Sequence, residues 1–242
     1  PAALDHIWAA SAAIREAGVS MEVLTAGQAA ELEPSLQAML GEWPDQGAQA
    51  AIFSPADSNG DCHSVTAELA KACAVRYNVR FLMGTSADRF EVHGDQLHTV
   101  TLSDGQVLSP STLVLCAGAQ APSVASQLGA YLPMYPVKGY AVEVPLKPGA
   151  ATPKLNVVDD THKLYIAPMR GKLRVSGMAE FAGFDITVEQ ERVAVLLREV
   201  TKLFPQADTE NAVAHCCLRP LSADDVPILG ELPGLRNVLL NV

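Results

Sequence analysis

The chain has 242 residues, enough for one large domain or two small ones, each with its own core. Its 17 Lys and Arg stand against 27 Asp and Glu, a formal charge of −10. With no basic cluster to offset that balance, nucleic acid and anionic membrane surfaces are poor partners. Five scattered cysteines form no Cys-x-x-Cys pair or Cys/His comb, so neither a metal site nor a disulfide framework is expected. They read as free thiols of a reducing compartment.

Apolar spacing predicts a helix over 2–17, with Gly18 at its end, and a second over 26–33 that Thr25 caps and Pro34 stops. Residues 35–60, broken by Pro44, Gly47, Pro55 and Gly60, read as loop. A helix follows over 64–77, with Val65, Leu69, Ala72 and Cys73 on one face. The period then falls to two, predicting strands over 79–83, 89–93, 96–102, 107–108 and 113–116. Beyond a short helix over 121–128 come strands over 134–146, 153–159, 163–168 and 172–178, with a hairpin turn at Met169-Arg-Gly171. An amphipathic helix over 188–204 and strands over 212–218 and 238–242 complete the pattern.

This order implies an α+β to α/β fold, a partial nucleotide-binding Rossmann-like domain interleaved with an antiparallel-sheet domain. No apolar run approaches the roughly 20 residues of a membrane helix. The first residues carry no initiator Met or signal core, and the last form a strand on which the chain stops. Truncation at both ends is therefore expected.

Leu113-Val-Leu-Cys-Ala-Gly118 is an apolar strand ending in small residues, which lets backbone amides approach a phosphate or ring. The same pattern is commonplace in α/β folds. Arg219 follows an apolar strand, and Pro220 holds it in extended backbone, aiming a guanidinium suited to bidentate carboxylate recognition. A structural salt bridge with Asp224 or Asp225 is the alternative. Tyr165 and Tyr140 sit mid-strand, where each phenol could meet a carboxylate or simply belong to the core. Met178 reads as core, and no nucleophile elbow, Walker loop or metal comb is present.

In chain order, several segments carry a resemblance: Glu31-Leu-Glu-Pro34, Asp57-Ser-Asn-Gly-Asp-Cys62, Leu115-Cys-Ala-Gly118, Tyr135-Pro-Val-Lys-Gly-Tyr140, Arg174-Val-Ser-Gly-Met178 and Leu218-Arg-Pro-Leu-Ser-Ala-Asp224. Together they resemble the FAD-dependent superfamily of D-amino-acid dehydrogenases, glycine oxidases and D-amino-acid oxidases, most of all the bacterial D-amino-acid dehydrogenase branch. The resemblance implies a substrate-binding domain over 1–50 and 131–215 and a partial FAD-binding domain over 51–130 and 216–242. It implies that Arg219 clamps the substrate carboxylate with Tyr165, that Tyr140 and Met178 line the pocket, and that Ala87, Ala117 and Gly118 approach the FAD. The implied chemistry is hydride transfer from the α-carbon of an amino acid to flavin, with no dedicated side-chain base. Glycine, sarcosine or proline oxidation and a catalytically inert fragment are the alternatives. The implied electron acceptor is a quinone, a respiratory partner or dioxygen. The implied location is the cytoplasm, with peripheral attachment at the inner membrane left open. The family's opening Gly-x-Gly-x-x-Gly strand is not in this sequence.

Overall fold

Alternating apolar residues in the strands and an apolar stripe along one helix sort the chain into two separate cores. The structure, a computed structural model, describes residues 5, 8, 9, 11–37, 50–160 and 162–242. The fold is mixed α+β and divides into two units. One holds the residues up to Val65 with Tyr140–Met178 and Thr187–Cys216; the other holds Thr66–Gly139, Ala179–Ile186 and Cys217–Val242.

The first unit begins with α1 (Ala12–Glu16), β1 (Glu22–Thr25) and α2 (Ala26–Leu32). Thr25 starts α2 with a reciprocal cap: its hydroxyl accepts from the Gln28 amide while the Gln28 side chain accepts from the Thr25 amide. Part of the helix expected over 2–17 lies outside the described residues. β2 (Ala50–Phe53) pairs antiparallel with β1 and corrects the loop expected over 35–60. Its four residues are too short a run to show a period between prolines and glycines.

A five-stranded sheet runs in the order β11-β7-β10-β9-β8. Its strands are β7 (Met134–Pro145), β8 (Val157–Asp159), β9 (Leu164–Met169), β10 (Lys172–Glu180) and β11 (Val213–Ser222). Arg170 and Gly171, joining β9 to β10, both have positive φ, 51° and 75°, the twist that suits a two-residue hairpin turn. In the first unit one face of this sheet buries Tyr140, Val142, Val144, Leu164, Ile166, Leu173 and Val175. They pack against Val193, Leu196, Val200 and Leu203 of the long amphipathic helix (Gln190–Leu203).

The second unit holds β3 (Ala87–His93), β4 (Gln96–Leu102) and β5 (Val107–Leu108) as an antiparallel meander. Beside it in sequence, β6 (Leu113–Leu115) pairs parallel with β13 (Val238–Asn241), and β12 (Leu229–Glu231) pairs antiparallel with β13. Asn237 ties the two sheets: its Oδ1 accepts from the Leu97 amide and its Nδ2 donates to the Leu97 carbonyl. Leu97, Leu115, Ala121, Ala125, Val238 and Leu240 are among the buried residues of this core.

The helix Cys62–Tyr77 forms where 64–77 was expected, but Val65 and Leu69 on its apolar face are exposed. Asp61 starts it, accepting from the His63 amide and the Ser64 hydroxyl. The strand expected over 79–83 does not form. Asn78 turns left-handed at φ 55° and the Val79 amide bonds back to the Cys73 carbonyl, which closes the helix end, and the rest of the run joins no ladder. Among the described residues no helix is long and apolar enough to cross a membrane, and no cluster of His, Cys, Asp or Glu could hold a metal.

Glu33 is 2% exposed and accepts four hydrogen bonds, from the amides of Ser35, Lys154 and Leu155 and from the Ser35 hydroxyl. Burial pushes its carboxyl up, and the Ser35 hydroxyl with the three amides overcomes this and holds it below its usual value. Replacing it by Gln should cost about 1–3 kcal/mol by leaving donors poorly matched. A lowered carboxyl stabilises the fold above its unfolded pKa and stops doing so as pH falls through the folded one. Melting temperatures of wild type and Glu33→Gln should therefore differ at neutral pH and converge in acid; a gap that holds at all pH values would contradict this.

Candidate functional site

Arg219 lies on β11, which neighbours β7 in the five-stranded sheet, and its side chain is exposed. Its guanidinium rests directly on the backbone of Gly139 in β7. A Cβ at residue 139 would come within 2.6 Å of Nη2, 2.7 Å of Cζ and 2.9 Å of Nε. The strand expected over 212–218 runs further, through Arg219 and Pro220 to Ser222. The Ala223 amide then donates to the Pro133 carbonyl, which ties the stretch after Arg219 to the segment before β7. Asp224 accepts from the Val226 amide, closing a turn in which Asp225 adopts φ 61°.

Lys138 precedes Gly139 and has no solvent exposure at all. Its Nζ lies 3.0 Å from Asp185 and 3.6 Å from Glu180. A buried ammonium is tolerated only when carboxylates stand against it. Sequence reasoning passed over Lys138, although strand alternation with the apolar Tyr140 was a signal that it faces inward. Nearby, the Gly183 amide donates to the Tyr135 hydroxyl at 3.0 Å, and the Tyr135 and Phe181 rings lie 5.4 Å apart.

In the first unit Tyr165 is 56% exposed, on the sheet face away from the core, opposite Ser176 of β10 and Val158 of β8. Its hydroxyl makes no hydrogen bond among the described residues. Tyr140 is 1% exposed and lies inside the core under the long helix, so it does not share the exposed face of Tyr165. Met178 packs at the edge of the same core with φ 64°, a left-handed conformation that costs a side-chain-bearing residue roughly 1–3 kcal/mol. The sheet thus sets Tyr165 apart from Tyr140 and Met178.

Ala117 and Gly118 follow β6. Ala117 is exposed, and Gly118 takes φ 52° with nothing within 4 Å of where a Cβ would stand. This small, open backbone at the carboxyl end of a parallel strand fits the close approach of a dinucleotide. Ala87 is exposed at the first position of β3, next to a bulge in its pairing with β4.

A parallel strand that ends in small residues and an antiparallel sheet that displays an arginine are features compatible with the class of two-part oxidoreductases that bind a dinucleotide. The chain belongs to the DAO family of FAD dependent oxidoreductases, which it matches over residues 2–242. It is 34% identical over 239 residues to a D-amino acid dehydrogenase of Granulibacter bethesdensis, covering 98% of this chain and 55% of that protein. A D-amino acid dehydrogenase of Paramagnetospirillum magneticum is also 34% identical, over 99% of this chain and 55% of its own length. Among solved structures, glycine oxidase from Geobacillus kaustophilus superposes with a TM-score of 0.83 at 26% identity, covering 98% of this chain and 61% of that one. The chain spans about half the length of the curated relatives it matches.

Because the Lys138 ion pairs sit under the candidate site, their loss should be felt as instability. Lys138→Ala, which removes both ion pairs and leaves a cavity where the buried side chain lay, is expected to lose about 2–4 kcal/mol, and Lys138→Met less, since an apolar side chain of similar length refills the space. Urea denaturation of the two variants checks the order, and equal loss would contradict the pairing argument.

Proposed function

We propose that this chain forms the substrate-binding part and a share of the cofactor-binding part of an FAD-dependent amino-acid dehydrogenase, with a D-amino acid as substrate. The observation that carries the reading is Arg219, an exposed guanidinium seated on a glycine of the next strand. The two D-amino acid dehydrogenases that share 34% of its sequence support the substrate class.

Arg219 presents two parallel N–H donors to the substrate carboxylate, a geometry a lysine cannot reproduce. Fixing the carboxylate fixes the α-carbon, and this orientation is the protein's main contribution to the rate. Tyr165, in the first unit, is exposed with its hydroxyl unengaged among the described residues. Ala117 and Gly118 would lie against FAD, with Ala87 toward its adenine end. When bound, FAD supplies the two-electron acceptor for the amino acid. Tyr140 and Met178 act as framework beneath the sheet rather than as donors. Electrons leave to a quinone, a respiratory partner or dioxygen, and the enzyme works in the cytoplasm or at the inner face of the membrane.

Glycine or another small amine is the second substrate reading, favoured by the 26% identity to the Geobacillus kaustophilus glycine oxidase. Arg219→Ala in the full-length enzyme should reduce kcat/KM for amino acids by on the order of a thousandfold, with Arg219→Lys between it and wild type. Near-normal turnover by Arg219→Ala would remove the carboxylate clamp.

A further inference from the structure

We infer that Gly139 is a positioning residue for the substrate: its missing side chain is the seat that holds the Arg219 guanidinium in place. The inference rests on the reading of Arg219 as the carboxylate-binding group.

Three atoms of the guanidinium, Nη2, Cζ and Nε, would lie between 2.6 and 2.9 Å from a Cβ at residue 139. Near-equal distances to the central carbon and two of its nitrogens mean that the planar group lies face-on to the strand. No side chain can share that space, since a real Cβ does not approach heavy atoms so closely. Gly139 is not required for its backbone conformation, because its φ lies outside the left-handed region that the other turn glycines use. Glycine also weakens a strand interior. Room for the guanidinium is what remains to explain it.

The strand cannot retreat to make room for a methyl group. Lys138 on one side of Gly139 is fully buried with its Nζ against Asp185 and Glu180, and Tyr140 on the other is 1% exposed. Both neighbours are therefore anchored away from Arg219. The guanidinium, at the end of a flexible and exposed side chain, is the group that gives. A methyl at residue 139 would lift it from its seat and misplace the carboxylate-binding donors by about an ångström, at little cost to the strand itself.

The test uses the full-length flavoenzyme and whichever of D-alanine, glycine, sarcosine and L-proline bleaches its flavin fastest. Gly139→Ala should raise KM on the order of tenfold, with a smaller change in kcat. Its melting temperature and flavin spectrum should match wild type, which a merely structural role would not allow. In an Arg219→Lys background, where no planar group lies over residue 139, adding Gly139→Ala should change KM little further. An unchanged KM in Gly139→Ala, beside an impaired Arg219→Lys, overturns the seat and leaves the clamp standing. An equal rise of KM in both backgrounds also overturns the seat. Normal kinetics in Arg219→Lys and Arg219→Ala, or a flavin bleached by none of the four amines, overturns the clamp itself.

Discussion

A lysine with no access to water must be held by carboxylates, and the pairing of Lys138 with Asp185 and Glu180 organises this end of strand β7. Desolvating an ammonium costs several kcal/mol, so the strand cannot slide or twist without breaking contacts to both partners. The residue after it, Gly139, is thereby fixed in space, and Arg219 on β11 lies flat upon it. An exposed arginine usually samples many rotamers. Here a rigid floor removes part of that freedom before any ligand arrives, which is how preorganisation lowers the cost of binding.

The same alternation explains what the sheet keeps from the surface. Successive residues of a strand face opposite ways, so when Leu164 and Ile166 enter the core, Tyr165 must leave it. The long helix Gln190–Leu203 covers only the core face. Tyr140 shares that covered face with Val142 and Val144, and its bulk goes to packing rather than to recognition. A polar side chain's chemistry does not by itself tell which face it takes; the register of its strand does.

Most of the strands were legible because their apolar residues alternate, and the long helix was legible because its apolar stripe repeats at helical spacing. β2 and β12 were not, being three or four residues long, too short for a period to show. The run over 79–83 misled because apolar content looks like a strand until a ladder partner is sought; the left-handed Asn78 and the Val79 bond to Cys73 were the competing signal. Arg219 stood out through its charge after an apolar strand and through Pro220. Its contact with Gly139 was invisible, since it joins residues 80 positions apart whose pairing only the fold determines. Lys138 was passed over for a related reason: a charged residue in a strand is assumed to face water unless its partners, here more than forty positions away, are known.

The proposed FAD-linked site would accept electrons from an amino acid held by its carboxylate. The most direct measurement is an anaerobic visible spectrum of the purified protein, taken before and after D-alanine is added. Flavin bands should bleach on addition. Bands that remain unchanged with D-alanine and with a panel of other amino acids would contradict it.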